Sequence, residues 1–293
     1  MKTACIDIGG TYIKSGVLEN GVLSHVRETP TGGEDGARSV LARAARLVRN
    51  MPGAACVGIS TTGEVEPRTG VIRLSTNIPG YTGLNPKEIL SEALSLPVVV
   101  ENDANAAAAG EFAFGAARGV QDFLMLSYGT GVGGAVYTGG RLYRGHGGSA
   151  GEFGGLITHP EAVDPAQQGT GSYECYASTL ALTARVSALD PTLCTGRAIF
   201  ARRDDPIVRA QIDAWIGEIA WGLASLIHAF DPALVVLGGG VMRQAYVLDR
   251  LSHILLPLLK RSFRTCKLTP AALGNHAGMM GAGYLAQRML TAI

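Results

Sequence analysis

Thr3-Ala4-Cys5-Ile6-Asp7-Ile8-Gly9-Gly10-Thr11-Tyr12-Ile13-Lys14-Ser15-Gly16-Val17-Leu18 passes from one apolar segment through a glycine turn into another. Thr3 to Ile8 and Tyr12 to Leu18 read as strands, and Asn20-Gly21 turns the chain again. The plan recurs in Phe123 to Ser127, then Gly129-Thr130-Gly131-Val132-Gly133-Gly134, Ala135 to Tyr137 and Gly139-Gly140. Only a residue without Cβ lets backbone N–H groups close in on a phosphate, often at positive φ, so the repeat predicts a duplicated phosphate clamp. Two such loops facing each other would hold a nucleoside triphosphate.

Gly129 to Gly134 also satisfies G-x-G-x-x-G, the fingerprint of dinucleotide binding. That use requires the loop to open a helix whose N-terminus carries the pyrophosphate. The residues that follow are β-formers ending in another glycine turn, so an NAD-dependent enzyme is disfavoured.

Between and beyond the two turns, helical and strand patterns alternate. Asp35 to Asn50 has helical spacing of Val40, Leu41, Ala44, Leu47 and Val48, stopped by Pro52-Gly53. Ala55 to Ser60 reads as a strand leading to Thr61-Thr62-Gly63, and Pro86 to Leu94 as a helix before the strand Pro97 to Val100. That strand delivers Glu101-Asn102-Asp103 to the start of an alanine-rich helix, Ala104 to Phe112. Asp103 therefore lies at a strand-to-helix junction, where open α/β sheets place their chemistry. Further helices are expected from Glu174 through Arg185, from Pro206 to Phe230 and from Gly278 to Met289, with a strand at Leu234 to Leu237 turned by Gly238-Gly239-Gly240. Interleaved strands and helices in two related halves predict an α/β protein of two similar lobes around a cleft.

Composition narrows the function. The chain has 293 residues, 47% of them hydrophobic, enough for two lobes with their own cores. A net charge of +1 without a basic run gives no footprint for nucleic acid. No stretch approaches the ~20 apolar residues of a membrane span, and none near the start resembles a signal peptide, so a soluble cytoplasmic protein is expected. Five scattered cysteines, none in a C-x-x-C pair, predict reduced thiols rather than disulfides or a zinc knuckle.

The assembled motifs resemble the ROK family of sugar kinases across essentially the whole chain. The anchors are Asp7-Ile8-Gly9-Gly10-Thr11, Glu101-Asn102-Asp103-Ala104-Asn105-Ala106, Gly129 to Gly134, Ala150-Gly151-Glu152-Phe153-Gly154, Leu237-Gly238-Gly239-Gly240-Val241 and Gly278 to Gly283. The resemblance implies the two-lobed actin/hexokinase-like (ribonuclease H-like) ATPase fold with a central cleft. It implies a small lobe of residues 1–114, with the C-terminal helix 284–293 packed back on it, and a large lobe of 115–283. It further implies ATP and Mg²⁺ as cofactors, a small-molecule sugar as partner and a homodimer. Asp103 would be the catalytic base, since a sugar hydroxyl attacking a γ-phosphoryl group needs a carboxylate to orient it and take its proton. A position at the helix N-terminus would keep that carboxylate ionised, and capping of the alanine helix is a compatible second role. Asp7 would help hold Mg²⁺, through water. Gly9, Gly10, Thr11, Gly129, Thr130, Gly131, Gly133 and Gly134 would hold phosphates, and Gly238, Gly239 and Gly240 the adenosine side. Asn102, Asp103, Glu152 and Glu174 would bind the sugar, with Gly63 and Asn77 as additions from the smaller lobe. Lys14 is a weaker candidate phosphate contact, because the commoner family pattern has lysine where this chain has Tyr12.

The chain departs from that pattern at the family's zinc site. The histidine position is Gly155 and the three cysteine positions are Pro165, Gln167 and Ser172, so no zinc is expected. His159 and Cys175 lie nearby but match no ligand position. Without a metal, the segment 156–173 is expected to be ordered mainly by contacts with neighbouring backbone. The missing imidazole at Gly155 also predicts a roomier sugar pocket, as in the zinc-lacking β-glucoside kinases of the family, and Glu152 disfavours N-acetylmannosamine. His276 stands where an aspartate is common. The resemblance points to phosphorylation of the primary 6-hydroxyl of a hexose or β-glucoside. The alternative is a sugar-binding regulator that keeps the fold without turnover.

Overall fold

The computed structural model describes residues 1–291, so the last two residues of the expected C-terminal helix, 292 and 293, lie outside the described residues. The chain divides into two compact units, the first formed by 1–119, 141–150 and the residues from Asn275 onward, the second by 120–140 and 151–274. Elements are numbered along the whole chain.

The first unit contains β1 (Lys2–Ile8), β2 (Tyr12–Glu19), β3 (Val22–Pro30), α1 (Ala37–Arg49), β4 (Cys56–Thr61), β5 (Glu64–Val65), β6 (Ile72–Leu74), α2 (Pro86–Leu94), β7 (Val98–Asn102), α3 (Asp103–Phe114), β10 (Arg141–Tyr143) and α9 (Ala277–Thr291). Its main sheet has the order β3-β2-β1-β4-β7. The turn at Gly9-Gly10 folds β2 antiparallel onto β1, setting Asp7 opposite Lys14 and Ile8 opposite Ile13. β4 and β7 join in parallel, aligning Ile8 with Thr61 and Thr61 with Asn102. Parallel pairing thus brings the carboxyl ends of three strands to one edge. Asp7, Thr62, Asn102 and Asp103 arrive there together.

Alternation along the strands divides their neighbours between two faces. Ala4, Ile6, Val57 and Ile59 join a core with Val40, Leu41 and Ala44 of α1. On the other face the backbone of α9 comes so close that a Cβ at Gly58 would strike the Ala282 carbonyl. α9 packs on α3 with the same intimacy, since a Cβ at Gly281 would overlap the Ala106 carbonyl and one at Gly110 that of Ala277. The small residues of the last helix exist because backbone meets backbone there.

The second unit contains β8 (Phe123–Tyr128), β9 (Val132–Thr138), α4 (Tyr173–Ala177), α5 (Thr179–Ser187), α6 (Gly196–Ala201), α7 (Pro206–Phe230), β11 (Leu234–Gly238), α8 (Ala245–Leu258) and β12 (Lys267–Pro270). Its strands follow the order β9-β8-β11-β12. β9 pairs antiparallel with β8, while β11 and β12 are parallel additions. α7 is capped by the Asp205 side chain, which accepts from Ile207 N at 2.9 Å, and has Pro206 in its first turn. Its buried Ile212, Trp215, Ile216, Ile219 and Leu223 share a core with Leu124, Leu126, Val235 and Leu237.

The helix expected from Glu174 through Arg185 is two helices, broken at Ser178. The Ser178 hydroxyl accepts from Ala181 N at 3.1 Å and caps α5. The carbonyl of Ala177, freed by the break, and that of Ser178, which also accepts from Leu182 N, each accept the Trp215 indole N–H at 2.9 Å. A buried Trp215 needs a partner, and the broken turn supplies two.

Candidate active site

In the first unit the strand ends gather a polar cluster around two carboxylates. Asp7, the penultimate residue of β1, accepts from Ser60 Oγ at 2.7 Å through Oδ1 and from Lys14 Nζ at 3.4 Å through Oδ2. Lys14 also donates to the Asn275 carbonyl at 3.4 Å. This partly buried carboxylate keeps outward valence for water, and one carboxylate plus waters is the donor set Mg²⁺ accepts. The residues present therefore fit a hydrated Mg²⁺ beside Asp7. Gly278 at the start of α9 lies against the same group, since a Cβ there would stand 2.8 Å from Ser60 Oγ and 3.4 Å from Asp7 Oδ1.

Asp103 is the first residue of α3, and the cap is Asn102 rather than Asp103. Asn102 Oδ1 accepts from Ala104 N at 3.0 Å and Asn105 N at 3.1 Å, while its Nδ2 donates to Gly63 O and to Asp103 Oδ1, both at 3.1 Å. Every polar atom of the Asn102 amide is thus spent inside the unit, where it orients Asp103 and fixes Gly63. Gly63, at φ +96°, fits here because a Cβ would stand 2.7 Å from the Leu74 carbonyl. Asn77 is exposed and donates to Thr62 Oγ1 at 2.7 Å.

The Asp103 residue is exposed, so an incoming hydroxyl can reach it. The protein crowded around it nevertheless desolvates the carboxylate, and repulsion from Asp7 adds to the effect. Hydrogen bonds from Ala104 N–H at 2.8 Å and Asn102 oppose both, and the outcome is a pKa pushed up to about 6. The helix N-terminus does not hold it low, yet the group stays mainly ionised at neutral pH. Raised basicity suits a group that must take a proton.

Behind this pair sits a charge that the sequence analysis left without a role. Glu101 is 4% exposed, and its Oε2 accepts from Arg144 Nε at 2.8 Å and Nη2 at 2.7 Å. Its Oε1 accepts from Asn105 Nδ2 at 3.1 Å and Asn102 N at 3.2 Å. The segment 141–150 is held further by Ser149 Oγ to Glu64 at 2.8 Å and by Arg73 to the Gly147 carbonyl at 2.7 Å. Glu101 stands inside a quoted motif, but nothing in the spacing pointed to Arg144.

In the second unit the glycine turn meets Glu174. A Cβ at Gly131 would stand 2.6 Å from Glu174 Oε2 and one at Gly154 2.9 Å, and Val132 N–H donates to that oxygen at 3.4 Å. A Cβ at Gly134 would strike the Phe153 ring. Neither Gly9, Gly10 nor any glycine from Gly129 to Gly134 has positive φ. Positive φ, part of the initial reason for these glycines, is therefore not their cause. Close packing explains Gly131 and Gly134, and Gly129 faces open space. After Gly131 the chain enters β9, the strand that the dinucleotide reading could not accommodate.

Gly129 and Thr130 open onto a cavity of about 680 Å³, whose opposite wall includes Gly240, Val241, Arg243 and Gln244. Thr179, Thr183, Arg197 and Phe200 also line it, residues that no short motif marks. Its size is that of a site for a nucleoside-sized ligand. Thr179 Oγ1 donates to the Tyr128 carbonyl at 2.9 Å and Leu180 N to the Gly129 carbonyl at 3.2 Å, fastening α5 to the turn. Gly239, at φ +103°, lies where a Cβ would strike the Tyr128 carbonyl, and Gly238 makes ordinary contacts.

Glu152 is exposed, just before the short 3₁₀ turn Phe153–Gly155, and a Cβ at Gly155 would meet nothing within 4 Å. Among the described residues no three His, Cys, Asp or Glu side chains form a group able to hold a metal. Both nitrogens of His159 are engaged by carboxylates, and Cys175 Sγ lies 3.3 Å from Ser172 Oγ and from the Gly169 carbonyl.

Comparison with known proteins agrees with this architecture. The family model described as "ROK family" matches residues 3–289. A β-glucoside kinase from Listeria innocua is 33% identical, with 97% of each chain covered. The ROK hexokinase from Thermus thermophilus superposes with a TM-score of 0.85 at 34% identity over 100% of both chains. The ROK family glucokinase from Streptomyces griseus, solved in complex with glucose and AMPPNP, does so with a TM-score of 0.86 at 30% identity, covering 98% of this chain and 100% of that one. End-to-end agreement in sequence and in fold, with sugar kinases of the actin/hexokinase-like type, places this chain in the ROK family.

Proposed function

We propose that the protein transfers the γ-phosphoryl group of ATP to the primary 6-hydroxyl of a hexose or β-glucoside. The observation that carries this reading is Asp103: an accessible, oriented carboxylate whose pKa of about 6 leaves it ionised yet basic at neutral pH. Its oxygen accepts the hydroxyl proton as the sugar oxygen bonds to the γ-phosphorus and the bond to the departing ADP breaks. Asn102 holds Asp103 in place through its amide and stands beside it for the sugar. Glu152 and Glu174 in the second unit, with Gly63 and Asn77 in the first, supply acceptors and donors in fixed directions for sugar hydroxyls.

The second unit's cavity takes the adenosine, with Gly240 on one side and Gly129 and Thr130 on the other, and Gly238 and Gly239 lead the chain into Gly240. Gly131, Gly133 and Gly134 continue the phosphate turn, and Gly9, Gly10 and Thr11 serve the first unit's. When bound, Mg²⁺ would neutralise charge on the phosphates, and Asp7 would hold it through water. Lys14, already paired with Asp7, adds a positive charge there.

Open space at Gly155 supports a bulkier or β-linked sugar, in keeping with the β-glucoside kinase among the relatives. No helix among the described residues is long and apolar enough to cross a membrane. The resemblance to the family's sugar kinases supports a cytoplasmic homodimer.

The test is ADP release from Mg-ATP across glucose, N-acetylglucosamine, N-acetylmannosamine, mannose, fructose and cellobiose, with Asp103→Asn beside the native protein. Sugar-dependent turnover that the substitution lowers by about 10²–10⁴-fold supports the reading. Sugar binding without turnover on any sugar would replace it with a regulator.

A further inference from the structure

His159 is held in a way that nothing in the proposed chemistry requires. It stands at the start of a 3₁₀ turn (Pro160–Ala162) in the segment that joins Glu152 to Glu174. Nε2 lies 2.8 Å from Glu218 Oε2 on α7, and Nδ1 lies 2.8 Å from Glu161 Oε1. The ring stacks on Tyr176 of α4, with centroids 3.7 Å apart and planes at 25°. Trp221 of α7 is tilted beside it at 6.1 Å. Glu218 is 7% exposed, and its other oxygen has Arg185 of α5 at 3.9 Å. Around His159 the backbone closes the base of the loop: Thr158 N and His159 N both donate to the Gly171 carbonyl, Ile157 bridges Ser172, and Tyr173 N donates to Leu156 O at 2.6 Å.

Two carboxylates on opposite ring nitrogens can both accept only when both nitrogens carry protons. A neutral ring turns a lone pair toward one carboxylate. We propose that His159, as an imidazolium clasped by Glu161 and Glu218, is a positioning residue that sets segment 156–173 and α4, and through them the carboxylate of Glu174. The link to sugar affinity rests on the reading of Glu174 given above. The charged groups facing His159 are Glu161 on its own turn and Glu218 on α7, with Arg185 of α5 reaching Glu218; α4 offers only the Tyr176 ring. Burial works against the charged ring, but the bonds to Glu218 and Glu161 outweigh it and raise the pKa above the usual histidine value. A raised pKa means that the clasp is complete below the histidine's unfolded value and is lost as pH climbs through the folded one.

The experiment follows amide hydrogen exchange at His159, Thr158 and Tyr173 in the sugar-free protein between about pH 6 and about pH 9, corrected for intrinsic rates. His159→Gln and Glu218→Gln are run beside the native chain. The native protein should lose about tenfold protection at these amides across that range, while His159→Gln is deprotected throughout and shows no such step. Glu218→Gln leaves Glu161 as the only carboxylate and should reduce the step. In turnover assays the KM for sugar, not kcat, should follow the same pH step in the native enzyme alone. Protection that is flat with pH, or a step surviving in His159→Gln, overturns the clasp. A protection step without a matching change in sugar KM keeps the clasp and overturns its link to Glu174. Absence of turnover in the native protein counts against the kinase reading, while exchange still decides the clasp.

Discussion

Acidification should silence Asp103 well before it unfolds the protein. With its pKa at about 6, the carboxylate is roughly 90% ionised at pH 7 and roughly 10% at pH 5, so kcat/KM should fall about tenfold over that interval. An aspartate at its ordinary value near 3.9 would lose only about a tenth of its ionised form across the same range. The assay is initial-rate ADP release at low sugar concentration, where kcat/KM reports the ionisation of the free enzyme. Because the Asp7 charge contributes to the shift, Asp7→Asn should move the midpoint of whatever activity survives toward lower pH. The same pKa carries a stability sign. Folding raises this carboxyl's pKa, so the folded chain prefers the protonated form, and the ionised group lowers stability above about pH 6. Asp103→Asn should therefore hold or raise the neutral-pH melting temperature while removing turnover. An acid limb centred below about pH 4.5, or one that persists in Asp103→Asn, would refute this account of the residue.

Three other substitutions test the surrounding construction. Arg144→Leu removes both guanidinium bonds from the 4%-exposed Glu101 and should cost about 3 kcal/mol in urea unfolding. Gly281→Val drives a side chain into the Ala106 carbonyl on α3 and should cost about 3 kcal/mol or more, read by thermal melting. Gly131→Ala places a methyl 2.6 Å from the movable Glu174 carboxylate, so the sugar KM should rise several-fold while the melting temperature changes by only about a degree or two.

Much of the fold could be read along the chain because its strands and helices carry local patterns. Pro86 to Leu94 and Pro206 to Phe230 were marked by prolines at their starts, and both helices begin at those prolines and end where their apolar patterns end. The break at Ser178 could not be read, because it depends on Trp215, remote in sequence, reaching two carbonyls. The membership of 141–150 in the first unit was hidden for the same reason: Arg144, Ser149 and Gly147 are tied to Glu101, Glu64 and Arg73, partners that no short motif links to them. At the site, Asp7 and Asp103 stood out as carboxylates at strand ends. Reading the glycines as backbone tailored to phosphate was incomplete, since Gly131 and Gly134 are constrained from inside by Glu174 and Phe153. His159 was visible as an unmatched histidine, and only the fold reveals the two carboxylates beside it.

The seam between α3 and α9 also fixes an order of events. Everything in the second unit is synthesised before α9 exists, while β1, β4 and α3 are already made. Until Ala277 and the residues after it emerge, the groove shaped by Gly58, Ala106 and Gly110 has no helix to fill it. The nascent first unit must therefore wait, open along one flank, for the second to be completed. Chaperone dependence and proteolytic sensitivity during synthesis should concentrate on that flank, and they should end when the last helix docks.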